Sequence, residues 1–257
     1  MNAPRRGWIS VSGRRLETAS WGKEPAGIVL LHEGLGSVSL WRDFPASLAA
    51  ATGHGVFAWS RAGYGNSDPV PLPRRVSYMH DEAAVLGALL DAVGLGDCVL
   101  LGHSDGASIA TIFAGTNVDM RVQGLALIAP HFLVEDVCLA GIAAARERYE
   151  AGDLRARLAR HHADVDGAFH GWNDVWSNPA FRAWNITAEA ARVRVPVMVV
   201  QGLADPYGTV AQVAAAGPRA EAVLLDCVGH APHLEAPVAT MDAVRGFCVR
   251  VLGEGRR

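Results

Sequence analysis

The sequence predicts an α/β fold: a mostly parallel sheet with helices on both faces and a helical cap inserted late in the chain. Three observations carry this. Short apolar runs alternate with helix-like segments, as parallel strands joined by helical crossovers require. The alternation breaks between residues 132 and 192, where no clear strand pattern occurs, and then resumes. The 257 residues, 50% hydrophobic and 19% charged, are enough for one such domain with a large buried core.

The elements follow in order. Trp8–Val11 and Leu16–Trp21 flank Ser12-Gly13-Arg14 and read as an opening β-hairpin. Ile28–Leu31 is a short apolar run suited to a buried parallel strand. Asp43–Ala51 reads as a helix and Val56–Ser60 as a second buried strand, which runs into the glycine-rich loop Arg61-Ala62-Gly63-Tyr64-Gly65. Ser77–Val93 has apolar residues at helical spacing, with Gly94 as its stop. Cys98–Leu101 is the next strand, Ala107–Ala114 the helix after it, and Val122–Ile128 another strand. Val197–Gln201 (strand), Val210–Ala215 (helix), Ala222–Asp226 (strand) and Val238–Leu252 (helix) close the chain. The expected division is a core of residues 1–131 and 193–257 and a cap of residues 132–192.

Bulk properties exclude several classes. A net charge of -3 carries no signature of a nucleic-acid or anionic-membrane partner. No apolar stretch spans a bilayer, and the N-terminal arginines have no apolar run behind them, so a cytoplasmic location is expected. Cys98, Cys138, Cys227 and Cys248 are scattered and read as small buried hydrophobes. No metal site is expected; His161 and His162 are adjacent on a helix pattern and point apart. With Arg146, Arg148, Arg155, Arg157 and Arg160 they read as a solvated face.

Gly102-His103-Ser104-Asp105-Gly106 carries the chemistry. This G-x-S-x-G pattern turns a strand sharply into a helix and lifts a strained serine clear of the sheet. The glycines let neighbouring backbone pass, and the helix points its first amides at a reacting carbonyl. A serine hydroxyl becomes nucleophilic only when an imidazole takes its proton. Among ten histidines, His230 lies in the loop after the last strand, at the edge of the sheet where that base belongs. His233 is its rival, read as a supporting or helix-start residue. Asp205, in the loop after the preceding strand, can orient His230 and stabilise its imidazolium. Asp226 lies too deep in its strand for that role, and Glu135 and Asp136 are a second choice.

Acyl transfer also needs donors aimed at the developing alkoxide. The N–H of Asp105 is one. The other is sought in the loop His32-Glu33-Gly34-Leu35-Gly36-Ser37, with Gly34 preferred and Leu35 and Glu33 as alternatives.

Leu30-Leu31-His32-Glu33-Gly34, Arg61-Ala62-Gly63-Tyr64-Gly65-Asn66-Ser67, the serine turn, Asp205 and Gly229-His230-x-Pro232-His233-x-Glu235 occur in this order. Together they resemble the α/β-hydrolase superfamily over nearly the whole chain, most closely the small bacterial lid-bearing hydrolases. These include carboxylesterases, lactonases and carbon–carbon bond hydrolases. The resemblance implies the fold, the Ser-His-Asp triad and the absence of a cofactor. It does not imply a substrate.

Two positions depart from the pattern. Glu33 stands where many relatives have glycine, and Asp105 where many have an apolar residue. The Ser-Asp-Gly turn is similar to biphenyl-hydrolase-like esterases, some of which favour amino-acid esters. Either both carboxylates make the pocket negative for an amine, or both bond to backbone or arginine. Glu33, His131, Trp172, Asn173 and Trp176 are the candidate substrate contacts.

The expectation is a serine hydrolase that cleaves a small ester, thioester or lactone through an acyl-enzyme on Ser104. The alternatives are a carbon–carbon hydrolase, with Arg42 and Arg61 to hold a substrate carboxylate, and a non-catalytic ligand-binding protein. Epoxide hydrolases and haloalkane dehalogenases place aspartate where Ser104 stands. The expected partner is a small-molecule substrate, and the expected state a monomer or homodimer.

Overall fold

In the computed structural model the described residues are 3–117 and 119–255; positions 1–2 and 256–257 of the expected core lie outside them, as does 118. Strands β1 (Arg5–Val11) and β2 (Arg14–Trp21) form the opening hairpin, closed by Ser12 and Gly13 in the left-handed region. The chain continues through β3 (Ala26–Leu31), α1 (Phe44–Thr52), β4 (Gly55–Trp59), α2 (Tyr78–Val93), β5 (Cys98–His103), α3 (Asp105–Thr116) and β6 (Val122–Ile128). After an inserted helical region come β7 (Val197–Gly202), α8 (Val210–Ala215), β8 (Glu221–Leu225), a short α9 (Pro232–Glu235) and α10 (Pro237–Leu252).

The insertion consists of α4 (Asp136–Glu150), α5 (Asp153–Leu158), α6 (Val165–Trp176), a 3-10 turn at Pro179–Ala183 and α7 (Thr187–Arg192). It contains no strand among the described residues; only an isolated bridge pairs Leu133 with Asn185.

The eight strands form one sheet in the order β1-β2-β4-β3-β5-β6-β7-β8. The hairpin and the β2–β4 pairing are antiparallel; every later pairing is parallel. Alternation along the central strands explains the two cores. Val29, Leu31, Leu100, Leu125, Leu127 and Val199 face one side, where α2, α3 and the insertion pack. Ile28, Leu30, Val99, Leu101, Ala126, Ile128, Met198 and Val200 face the other, toward α1 and α10. The central strands are buried on both faces, which is why they read as unbroken apolar runs.

The edge differs. In β8, Glu221, Ala222 and Leu224 are exposed. Asp226 lies just past this strand, exposed, rather than deep within it. Cys227 is also exposed, whereas Cys98, Cys138 and Cys248 are buried as expected. Among the described residues no helix is long and apolar enough to cross a membrane, and no group of three or more His, Cys, Asp or Glu is arranged to hold a metal.

Candidate active site

The site lies at the C-terminal ends of the parallel strands, where β5 passes into α3. Ser104 occupies that turn with φ 53° and ψ -119°, and its N–H is held by Ile128 O at 2.9 Å. The strain is enforced by backbone contact. A Cβ on Gly106 would sit 2.0 Å from Leu31 O, and one on Gly102 would sit 2.4 Å from Ala107 N. Only glycine lets α3 approach β3 this closely.

Three side chains from three loops meet here. Ser104 Oγ is 2.9 Å from His230 Nε2, and His230 Nδ1 is 2.8 Å from Asp205 Oδ2. Asp205 Oδ2 also accepts from Gln201 Nε2 at 2.9 Å, and Oδ1 accepts from Tyr207 N–H at 2.8 Å. Burial opposes the Asp205 charge, but these bonds, led by that from His230, outweigh it and hold the carboxyl below its usual range. Asp205 is therefore ionised at neutral pH and fixes the Nδ1–H tautomer of His230, leaving Nε2 to take the serine proton.

His233 is not the base. It is buried against Trp41, Phe44 and His103, and burial brings it down to about 3. Glu135 is spent on Thr209 and Gln212, and Asp136 pairs with Arg182; neither is bonded to His230.

The N–H of Asp105 opens α3 and has no intrahelical acceptor, and among the described residues the N–H of Gly34 has none either. Trp172 of α6 lies directly on Gly34; a Cβ there would be 2.1 Å from the indole nitrogen. Trp176 donates to Tyr78 Oη at 3.0 Å, and its ring meets His131 edge-on at 5.1 Å. His131 is in turn 5.6 Å from His230, ring to ring, and burial lowers it to about 3, so it is neutral.

Asn173 does not join this group. It is fully buried and ties α6 to α4 through Ile142 O. The two unusual carboxylates have internal partners. Glu33 Oε2 is 3.5 Å from His103 Nδ1. Burial works against its charge, yet His103 holds it well below the carboxylate range. Asp105 is fully buried and Oδ2 accepts from Tyr78 Oη at 2.5 Å; burial raises its pKa against the opposing effects of Arg61 and Tyr78.

The sequence reading did not assign His103, Tyr78, Tyr207 or Gln201 a role. His103 Nε2 donates to His230 O at 2.7 Å and so holds the base's backbone. Its place beside the nucleophile was the only available signal, because its partner is 127 residues away. His162 also differs from the expected solvated face. It is buried, accepts from Gly65 N–H at Nδ1 (3.0 Å) and donates from Nε2 to Leu35 O (3.0 Å), pinning the insertion to two core loops. His161 Nδ1 lies 2.8 Å from Ser39 Oγ beside it.

Residues 28–243 match the model of a family described as the alpha/beta hydrolase family. A protein named "Putative carbamate hydrolase RutD", from Pseudomonas savastanoi pv. phaseolicola, is 29% identical over 247 residues, covering 86% of this chain and 93% of that one. The structure of E-2-(acetamidomethylene)succinate hydrolase is similar with a TM-score of 0.77 at 17% identity, covering 95% of this chain and 99% of the other. A carboxylesterase structure from Nitrososphaera gargenis is similar at 0.75 and 20% identity, covering 96% and 99%.

Proposed function

This chain belongs to the alpha/beta hydrolase family, and from that premise we propose that it is a serine hydrolase of small ester-like substrates: esters, thioesters or lactones. One observation carries the reading: the unbroken line of hydrogen bonds from Ser104 through His230 to Asp205.

As the Ser104 Oγ–carbonyl bond forms, the hydroxyl proton passes to His230 Nε2. The carbonyl π electrons move to oxygen, and the N–H groups of Asp105 and Gly34 receive the alkoxide. His230 returns its proton to the leaving oxygen or sulfur as that bond to carbon breaks, leaving an acyl-enzyme. Water then attacks, His230 takes its proton, and the acid is released as Ser104 regains a hydrogen. Asp205 balances the imidazolium in both halves. Side chains and backbone amides perform every step.

Residues 132–192 act as the cap; its Trp172 lies on Gly34, and its Trp176 packs on His131, which stands beside His230 with Tyr207 and His103. Ser104 is only 5% exposed and the His230 side chain 18%, so a substrate reaches them through a narrow approach. The names of the similar proteins, a carbamate hydrolase, a carboxylesterase and an acetamidomethylene hydrolase, support chemistry at an acyl carbon. The carbon–carbon alternative has less support. Arg42 is exposed, and Arg61 spends its guanidinium on His32 O and Glu33 O.

The test is release of p-nitrophenol from short-chain esters by wild type beside Ser104→Ala, with fluorophosphonate labelling. Wild type turns over and labels; the variant folds and does neither. Equal turnover by both ends the proposal.

A further inference from the structure

Arg61 follows β4 and is 1% exposed, yet among the described residues it makes no ion pair within salt-bridge range. Burying a guanidinium without a paired carboxylate is costly, and an apolar side chain of similar length would avoid that cost. What the charge does instead is donate to two consecutive carbonyls. Nη1 donates to His32 O at 2.5 Å and Nη2 to Glu33 O at 3.0 Å.

The backbone of Arg61 adds a third bond. Its N–H donates to His32 Nε2 at 3.0 Å, which makes that nitrogen an acceptor and places the ring proton on Nδ1. Nδ1–H then donates to Glu33 O at 2.8 Å. Burial, and after it the Arg61 charge, keeps His32 neutral and so preserves this tautomer. Glu33 O thus receives Arg61 Nη2, His32 Nδ1–H and the N–H of Gly36, the last at 3.1 Å.

A trans peptide points its carbonyl and the following N–H in opposite directions. Three donors on Glu33 O therefore fix the direction of the Gly34 N–H, which has no acceptor of its own among the described residues. We infer that Arg61 is a positioning residue of the oxyanion hole: with His32 it clamps the Glu33–Gly34 peptide so that the Gly34 amide meets the developing alkoxide. Its charge lies at the carbonyl end of that peptide and reinforces the dipole aimed at the oxyanion. Arg61 does this without touching substrate.

The inference rests on the serine-hydrolase reading, so the experiment separates the two. Wild type, Arg61→Lys and Arg61→Met are titrated to completion with a fluorophosphonate, giving the fraction of competent Ser104. Turnover of p-nitrophenyl butyrate and inhibition by a trifluoromethyl ketone, whose adduct carries an alkoxide, are then expressed per titrated site. For Arg61→Met, kcat is expected to fall about 100-fold with KM within about threefold. Affinity for the trifluoromethyl ketone falls in step with kcat. Arg61→Lys keeps the charge but loses the fork, and lies between. Unchanged kcat per titrated site in both variants overturns the inference, as does a loss confined to the titratable fraction or melting temperature. If Arg61→Met does not fold, Arg61→Lys decides alone by the same criteria. A wild type that neither labels nor turns over ester overturns the hydrolase reading beneath it, a different result from active variants.

Discussion

Asp205 Oδ2 receives two donors at nearly equal distance, His230 Nδ1 at 2.8 Å and Gln201 Nε2 at 2.9 Å. The carboxylate is therefore fixed from its own strand end as it fixes the histidine. Replacing it by asparagine removes the charge and permits the wrong tautomer of His230. Asp205→Asn should lower kcat by about 10⁴-fold while the melting temperature changes little. Steady-state kinetics beside thermal denaturation checks this; a variant within tenfold of wild type would assign the acid role elsewhere.

Gly34 and Trp172 are in contact across the junction of core and cap. Gly34→Ala places a methyl group 2.1 Å from the indole nitrogen, so the ring or the loop must move. We expect kcat/KM to fall at least tenfold, and Gly34→Ala/Trp172→Ala to recover part of the loss. A double-mutant cycle measures the coupling. Strict additivity would mean that this contact does not hold the loop.

His131 and His233 give the pH dependence of stability its sign. Burial lowers both to about 3, whereas an unfolded histidine titrates near 6.5. The unfolded chain binds their protons first. Their contribution is complete above about pH 6.5 and is lost progressively as pH falls toward 3. His103 runs the other way: burial would lower it, but Glu33 raises it, so its contribution is present below pH 6.5 and lost as pH rises through its folded pKa. Melting temperature against pH should show an acid slope that His233→Phe makes shallower. An unchanged slope in that variant counts against the assignment.

His162 joins the cap to Gly65 N–H and Leu35 O with its two ring nitrogens. Phenylalanine fills the space but makes neither bond. His162→Phe should destabilise the protein by about 1–3 kcal/mol, and limited proteolysis should cut first within residues 150–165. Cleavage elsewhere at the wild-type rate would show that the latch is not what holds the cap.

Asp105 bears on substrate charge. Its Oδ2 is taken by Tyr78, the whole side chain is buried, and Arg61 opposes its negative field. We therefore expect Asp105 to give an amine no advantage; its Oδ1, buried and without a hydrogen-bond partner among the described residues, is the atom that would receive one. Propionyl and alanyl esters of one alcohol should be hydrolysed with kcat/KM within about fivefold of each other. A strong alanyl preference, lost in Asp105→Asn, would instead make Asp105 the amine's partner.

The fold was legible because its signals are local. Val122–Ile128 is the strand expected, and Ser77–Val93 differs from α2 by one residue, since a short apolar run and helical spacing are written in neighbouring positions. The triad was legible because its members occupy strand ends in a fixed order. The pairs Glu33–His103, Asp105–Tyr78 and His162–Leu35 were not. Each joins residues tens of positions apart, and no periodicity encodes where a long polar side chain finds its acceptor. The cysteines mark the same boundary. Cys227 looks like its three buried counterparts in sequence, and only the exposed edge beside β8 sets it apart.

That exposed thiol has a practical consequence. Burial pushes Cys98 and Cys248 up to about 12 and raises Cys138 further, so these three resist alkylation in the folded protein. A maleimide dye should therefore attach at Cys227 alone, three residues before His230. The fold thus supplies its own single attachment point for a fluorophore, close enough to the base to register movement of its loop during turnover.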